Sequence, residues 1–464
     1  MMTISKLLYF AWASSVLAGG TKDPFNPKNY ASKDVITRDV AVIGGGSTGT
    51  YAAINLQSLG KSIVLVEKEN VLGGHTNTYT DPSTGTVVDY GVQAFWNISV
   101  ARDYFKLLDI ATGPYQPLPN TRVFANFQTG NKVDTVQSTF NFTAYAAQLE
   151  KYPYLLYSWD LPDPVPKDLL LPFGDFIKKY NLQDSAFDIY YSAQGLSNFL
   201  NELTIHVLKL VDESFLGASS GASIVPASNN GEIFTKAAKK LGKDVLLSST
   251  VVQTQRGRDS TSLVVTTPGG KKLIQACKLL ITIPPLLDIM KPFDIDSTES
   301  SLFSKWRYTD YYTMLVSSTG LPPNTQFSNA NESQVTYNIP QLPAAYQVTA
   351  TRVAGLFYVW YGSPVRVTEA QVKADVSATI RRLRSISGNT TNSVELEPQF
   401  VEFRSHTPFK LVVSADEIRG GFYDRLEGLQ GHRNTWWTGS AFMSHDSSVL
   451  WNFTSALLPR MFGT

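Results

Sequence analysis

Short apolar runs alternate with amphipathic stretches along most of the chain, and the first well-marked unit is Asp39-Val40-Ala41-Val42-Ile43 followed by Gly44-Gly45-Gly46-Ser47-Thr48-Gly49. The run predicts a buried strand, the glycines a tight turn, and the stretch from about 48 to 59 a helix. A second apolar run, Ser62-Ile63-Val64-Leu65-Val66, closes on Glu67. From roughly 99 to 216 the pattern turns irregular and helical, broken by Pro153, Pro162, Pro164, Pro166 and Pro172. A helix is predicted from 229 to 240. Strands are predicted at 244–252, 262–266 and 279–283, with Gly269-Gly270 as a hairpin turn. Further strand candidates lie at 312–316 and 355–360, and a helix from about 447 to 461 ends the chain.

Strand, glycine turn, helix, strand and terminal acid make a dinucleotide-binding βαβ unit. Gly44 permits the tight turn, Gly46 lets backbone N–H groups approach a pyrophosphate, and Gly49 lets the helix pack closely on the sheet. Ser47, at the positive end of that helix, and Lys68, next to the acid, are further candidate cofactor contacts. Glu67 can accept both hydrogen bonds of an adenosine ribose and disfavours a 2′-phosphate by charge. A glycine-rich loop without a ligand is the alternative; the flanking strands and the spacing of the acid favour binding.

The 464 residues exceed one ordinary core, so two domains are expected. A formal net charge of +1 without a long basic run argues against nucleic acid or an anionic membrane as partner. Lys6 followed by the apolar stretch 7–13 and by Val16-Leu17-Ala18 reads as a secretory signal over 1–18. Nothing later supplies ~18 unbroken apolar residues for a membrane span. Sequons at Asn97, Asn141, Asn331, Asn389 and Asn452 are compatible with a secreted, glycosylated protein. The single cysteine, Cys277, is expected to be a half-buried strand residue.

Five separated motifs then agree, and the chain resembles the flavin-containing amine oxidoreductase superfamily. Gly44, Gly46, Gly49 and Glu67 match its glycine loop and ribose acid, and Gly73-Gly74 its glycine pair near the flavin. Val251 matches a strand valine whose backbone contacts adenine. Ile281-Thr282-Ile283-Pro284 matches the strand ending in threonine and proline, and Trp437-Thr438-Gly439-Ser440 the terminal glycine motif. These matches cover about half the chain. Leu72-Gly73-Gly74-His75 and the tryptophan pair are most similar to the fungal β-cyclopiazonate dehydrogenase-like group, whose namesake oxidises an indole alkaloid precursor. The resemblance implies FAD and an α/β fold, a Rossmann-type FAD-binding domain with a discontinuous inserted α+β substrate domain. The expected FAD-binding parts are 36–98, 217–285 and 400–464, and the substrate parts 99–216 and 286–399.

The departures bear on mechanism. Family amine oxidases hold a lysine on the substrate-domain strand that follows the threonine-proline motif, yet Asp310-Tyr311-Tyr312-Thr313-Met314-Leu315-Val316 has none. Direct use of oxygen is therefore in doubt, with Lys305 as a stand-in from outside the strand. Ser440 replaces the acid after the terminal glycine and can hydrogen-bond a ribityl or phosphate oxygen. His75, beside the glycine pair, is a candidate flavin contact or covalent flavin attachment; a surface histidine in a turn is the alternative. His206, His406, His432 and His445 show no metal-ligand spacing and are expected in core or surface roles. Trp436 or Trp437 is the expected substrate wall and Tyr312 a weaker candidate, with Tyr358, Trp360 and Tyr423 weaker still or ambiguous.

The leading expectation is an FAD-dependent oxidoreductase taking a hydride from a C–N or C–C bond of a hydrophobic small molecule, such as an indole alkaloid or other secondary metabolite. Its electron acceptor is left open. An oxygen-using amine or amino-acid oxidase, with Arg307 or Arg352 for a carboxylate, and a non-catalytic secreted flavoprotein are the alternatives.

Overall fold

The computed structural model describes residues 23–386 and 396–463. The leader expected over 1–18 and the sequon at Asn389 lie outside the described residues. Val35–Ile43 runs parallel to Gly270–Ile281 on one side and to Ile63–Val66 on the other, with Val245–Leu246 beyond the latter. Strands in the middle of a parallel sheet are covered on both faces, which is why Val40, Ala41 and Val42 form a continuous apolar run rather than an alternation. Thr250–Arg256 and Thr261–Thr267 extend the sheet as an antiparallel meander from Gly270–Ile281. Thr435–Trp437 pairs with the last three residues of that strand. On one face Val40, Val42 and Leu280 pack with Ile54, Ile233 and Trp451 of the helices Ser47–Ser58, Gly231–Leu241 and Ser447–Arg460. On the other, Ala41, Ile43 and Ile281 join a core that continues into the second unit.

The second unit is built on a sheet in the order Gln399–Ser405, Arg307–Ser317, Phe357–Ser363, Ala344–Ala350, Thr325–Asn329, Thr121–Ala125, with Phe409–Val412 also paired to Arg307–Ser317. Helix Glu369–Ile386 closes one face, where Val376 and Ile380 meet Met314, Val316 and Val359. Its other helices, among them Phe173–Tyr180, Gln183–Ser192 and Thr204–Leu208, come from the proline-broken stretch. The fold is α/β, a Rossmann-type unit with an inserted α+β unit.

Several elements depart from expectation. Thr121–Ala125, inside the helical stretch, is an edge strand of the second sheet. Gln399–Ser405 and Phe409–Val412 carry that sheet across the boundary expected at 399/400, and the first sheet resumes only at Thr435. The strand expected over 244–252 is split at Ser248, whose φ is +48°. Cys277 sits in Gly270–Ile281 as expected but is exposed, one residue beyond the point where Thr261–Thr267 stops pairing at Ala276.

Candidate functional site

Thr282, at the end of Gly270–Ile281, is the knot of the glycine turn. Its hydroxyl donates to the Ile43 carbonyl at 2.9 Å. A Cβ on Gly44, whose φ is +99°, would fall 2.7 Å from the Thr282 hydroxyl and 2.7 Å from Ile283. One on Gly49 would fall 1.9 Å from the Gly44 carbonyl oxygen, and one on Gly439, at φ +107°, 2.8 Å from the Thr282 carbonyl. Gly49 would also meet the Thr282 hydroxyl at 2.9 Å, so three glycines from two distant segments crowd one threonine. The middle residue, Gly45, escaped the sequence reading although its Cβ would strike Leu72 at 2.4 Å.

Gly73 donates its N–H to Gly45 O at 2.9 Å, and a Cβ on Gly74 would come within 2.9 Å of the Gly46 α-carbon. The glycine pair therefore lies directly on the glycine turn. Glu67 accepts from Gly45 N–H at 2.5 Å and Glu69 N–H at 2.8 Å, which fixes the carboxylate at the end of its strand. Its two oxygens keep acceptor capacity for further donors. Ser249 N–H donates to Glu67 O at 2.8 Å, and Val251 opens the next strand with its side chain buried. Ser47 and Ser447 hydroxyls meet at 2.9 Å, so the N-termini of Ser47–Ser58 and Ser447–Arg460 converge. The end of Ser47–Ser58 has no side-chain cap and presents free N–H groups and a partial positive charge, whereas at Ser447–Arg460 Asp446 already accepts from the Val449 N–H at 2.9 Å.

Where the two units face each other, aromatic rings line the cleft beside the glycine pair. His75 lies flat on His406, with ring centroids 4.2 Å apart and planes 4° apart, and 5.9 Å from Phe409. Phe409 stands 4.1 Å from His445 and stacks on Tyr311 at 4.6 Å. His75 is exposed, and crowding by these neighbours and by Lys68 holds its imidazole down to about 4. Burial also keeps His406 and His445 well below the usual histidine range. His406 Nε2 is 3.0 Å from Asn77 Oδ1. Beyond His445 lies a small inner pocket of about 30 Å³ lined by Trp159, Lys410, Ser440 and Met443 among others. Trp159 stacks on Tyr423 at 3.8 Å, and Tyr423 lines an outer cleft with Pro162 and Arg419.

A model of the NAD(P)-binding Rossmann-like domain matches residues 42–110. The chain is 41% identical over 463 residues to the FAD-dependent oxidoreductase pigF of Monascus ruber, covering 97% of this chain and 98% of the relative. It is 34% identical over 436 residues to a beta-cyclopiazonate dehydrogenase of Aspergillus oryzae, covering 93% and 94%. The chain belongs to this family of FAD-dependent oxidoreductases. Its fold is shared with a fatty acid isomerase from P. acnes, at a TM-score of 0.72 and 18% identity over 93% of this chain and all of that one. A putrescine oxidase structure aligns at a TM-score of 0.64 and 14% identity, with the same coverage.

The residues present fit the FAD that the oxidoreductase family implies. A Cβ on Gly46 would meet only the Gly74 α-carbon, at an ordinary 3.7 Å. The protein's own packing leaves room for a methyl there, so the glycine serves a group from outside. Gly46, Ser47 and the uncapped N-terminus of Ser47–Ser58 would hold a diphosphate. Glu67, with Val251 beside it, would hold the adenosine, and Gly73, Gly74, His75, Gly439 and Ser440 would border the ring system.

Other candidates lie elsewhere. Trp437 is fully buried against Phe303 and Phe442, while Trp436 points to the opposite face and packs on the helical core. Strand alternation thus covers both tryptophans and neither walls the cleft. Tyr312 donates to the Val367 carbonyl at 2.9 Å on the face closed by Glu369–Ile386. Its neighbour Tyr311, missed by the sequence reading, faces the histidines. Tyr358 packs with Val88 and Tyr90 in a small separate cluster and Trp360 on the edge of the main core. Lys68 is exposed and pairs with Glu69 at 3.8 Å. Lys305 pairs with Glu417 at 2.8 Å, and Arg307 and Arg352 are engaged by the Val413 and Gln116 carbonyls, so none of the three is the cation expected at the site. His406 is a buried histidine, as expected, but lies with the partly buried His445 beside His75, whereas His206 is buried against Glu202 at 2.7 Å. His432 meets Asp296 at 2.6 Å beside Glu299, the one grouping of three ligand-type residues among the described residues, but Glu299 is neutralised by Arg256.

Proposed function

We propose that this oxidoreductase removes a hydride from a C–N or C–C bond of a hydrophobic small molecule, of the alkaloid or other secondary-metabolite kind, with FAD as acceptor. When bound, the flavin supplies the two-electron chemistry at N5. The observation that carries the reading is the wall of His75, His406, Tyr311, Phe409 and His445 beside the glycine pair. With its imidazoles neutral, that wall presents aromatic faces and little charge, so it favours an apolar donor and, for an amine, the uncharged form that can release hydride. No residue of Arg307–Ser317 is a lysine, and the relation to a beta-cyclopiazonate dehydrogenase supports a dehydrogenase over an oxygen-using oxidase.

The test is anaerobic mixing of the FAD-loaded protein with a panel of aromatic amines and indoles while flavin absorbance is followed. Bleaching by a hydrophobic donor, with little peroxide on admitting air, is expected. A flavin that no donor bleaches would leave a non-catalytic flavoprotein.

His75 stacks on His406 through its ring face, which leaves both ring nitrogens open to a contact with, or a covalent link to, FAD. Acid precipitation separates the two: yellow colour released to the supernatant means a contact alone, and colour kept in the pellet and freed by His75→Ala would establish the linkage. A secretory route belongs to the same proposal. Asn97 and Asn141 are exposed, as glycan acceptors must be, and loss of mass on deglycosylation of the native protein tests it.

A further inference from the structure

Lys410 lies on Phe409–Val412 with φ +51°, a left-handed conformation uncommon for a residue with a side chain. Its N–H donates to His445 Nε2 at 3.1 Å, which fixes the backbone at the mouth of the inner pocket. The side chain is only 7% exposed and lines that pocket with Ser440, Ser444 and His445.

The other basic side chains of the lining are already engaged. Lys209 donates to the Leu155 and Ser158 carbonyls at 2.5 and 2.7 Å and lies over the Trp159 ring. His206 is held by Glu202. For Lys410 Nζ, no hydrogen-bond acceptor or carboxylate lies within bonding distance among the described residues. Asp446 and Asp212 act on it only through space, and they accept from the Val449 and Phe215 N–H groups at 2.9 and 2.8 Å as helix caps. Burial brings its amine down to about 7. Its one recorded neighbour is the Phe409 ring, 5.3 Å from Nζ, which offers a π face but no hydrogen-bond acceptor. A buried amine without a hydrogen-bond or carboxylate partner, facing a cavity, is built to meet a group that arrives from outside.

We propose that Lys410 receives a carboxylate carried by the otherwise hydrophobic substrate, in the inner pocket next to Ser440. This rests on the reading of the cleft as a substrate site and supplies the cation that Arg307 and Arg352 do not. A carboxylate there forms a charge-assisted hydrogen bond in a site of low dielectric, where it is strongest.

The test uses the FAD-loaded protein with benzoate and indole-3-acetate, each against its primary amide, followed by flavin difference spectra and calorimetry. Each acid should bind at least tenfold more tightly than its amide. Lys410→Met should erase that preference and leave amide binding within twofold, and Lys410→Arg should keep it. A wild-type measurement guards against a misfolded variant. Above pH 8 Asp446 and Asp212, held at about 7 and 6, are ionised, and His445, His75 and His406 are neutral. Burial also holds the Lys209 amine well below its ordinary range, and the pH profile of Lys410→Met separates its contribution from that of Lys410. Acid affinity should therefore fall about tenfold from pH 8 to pH 9 as the Lys410 amine deprotonates. A flat profile, no acid preference, no binding of either acid, or a preference that survives Lys410→Met would overturn the proposal. Donor bleaching without acid preference would sink the role of Lys410 alone; acid preference without bleaching by any donor would sink the proposed reaction and keep the site.

Discussion

Three glycine-to-alanine substitutions separate packing from cofactor binding. In helix Glu213–Ser219, Gly217 has open space around its would-be Cβ, so Gly217→Ala should gain about 0.5–1 kcal/mol from helix propensity alone. Gly49, in the first turn of Ser47–Ser58, draws on the same propensity gain, yet its Cβ would sit 1.9 Å from a carbonyl oxygen where ordinary contact begins at 3.4 Å. The turn has to move by about 1.5 Å, and it cannot retreat, because Gly44 is closed in by Thr282 and Ile283. Overpacking costs about 1–3 kcal/mol or more, which outweighs the propensity term, so Gly49→Ala should lose about 2 kcal/mol and most bound FAD. Gly46→Ala has room in the protein and costs under about 1 kcal/mol as a poorer helix cap. It should still weaken FAD at least tenfold, about 1.4 kcal/mol, by placing a methyl where the diphosphate approaches. Urea unfolding of the apoprotein and FAD titration by fluorescence measure both quantities. A Gly49→Ala protein as stable as the parent, or a Gly46→Ala protein with unchanged FAD affinity, would refute the assignment of these two glycines.

The buried pair Arg256–Glu299, bidentate at 2.5 and 2.7 Å with neither side chain exposed, ties the meander to helix Ser297–Phe303. Arg256→Met should cost about 3–5 kcal/mol in urea unfolding by stranding the carboxylate, and adding Glu299→Gln should recover part of it. His75 is depressed to about 4 from an unfolded value near 6.5, so the unfolded chain binds more protons between these limits. Apoprotein stability should thus fall as pH drops from about 6.5 to 4, and His75→Phe should make that limb shallower; an unchanged limb in unfolding curves at four pH values would count against the buried-cleft assignment. Trp159→Ala, which removes half of the stacked pair between inner pocket and outer cleft, should raise iodide quenching of FAD fluorescence severalfold. Unchanged quenching would show that the stack is not the barrier.

The parts of the site that were legible in the sequence are those whose geometry is local. The spacing from Gly44 to Gly49 and the acid at Glu67 are dictated by one turn, one helix and the adjoining strand, so residue types alone reveal them. Choosing Tyr312 over Tyr311 required knowing which face of Arg307–Ser317 looks into the cleft, yet seven consecutive residues of that strand, Asp310 to Val316, are buried. A strand covered on both faces gives no alternation from which to read a facing. The tryptophan pair failed for the same reason, since Thr435–Trp437 lies in a sheet with a core on each side. His406 and Lys410 lie on the stretch that leaves the second sheet, and His445 lies just after Thr435–Trp437, the strand that re-joins the first. Their meeting with His75 depends on how two independently patterned sheets dock. Motifs that bind a cofactor are therefore readable from local spacing, whereas the residues that choose a substrate lie between the two sheets and become visible only when both are placed together.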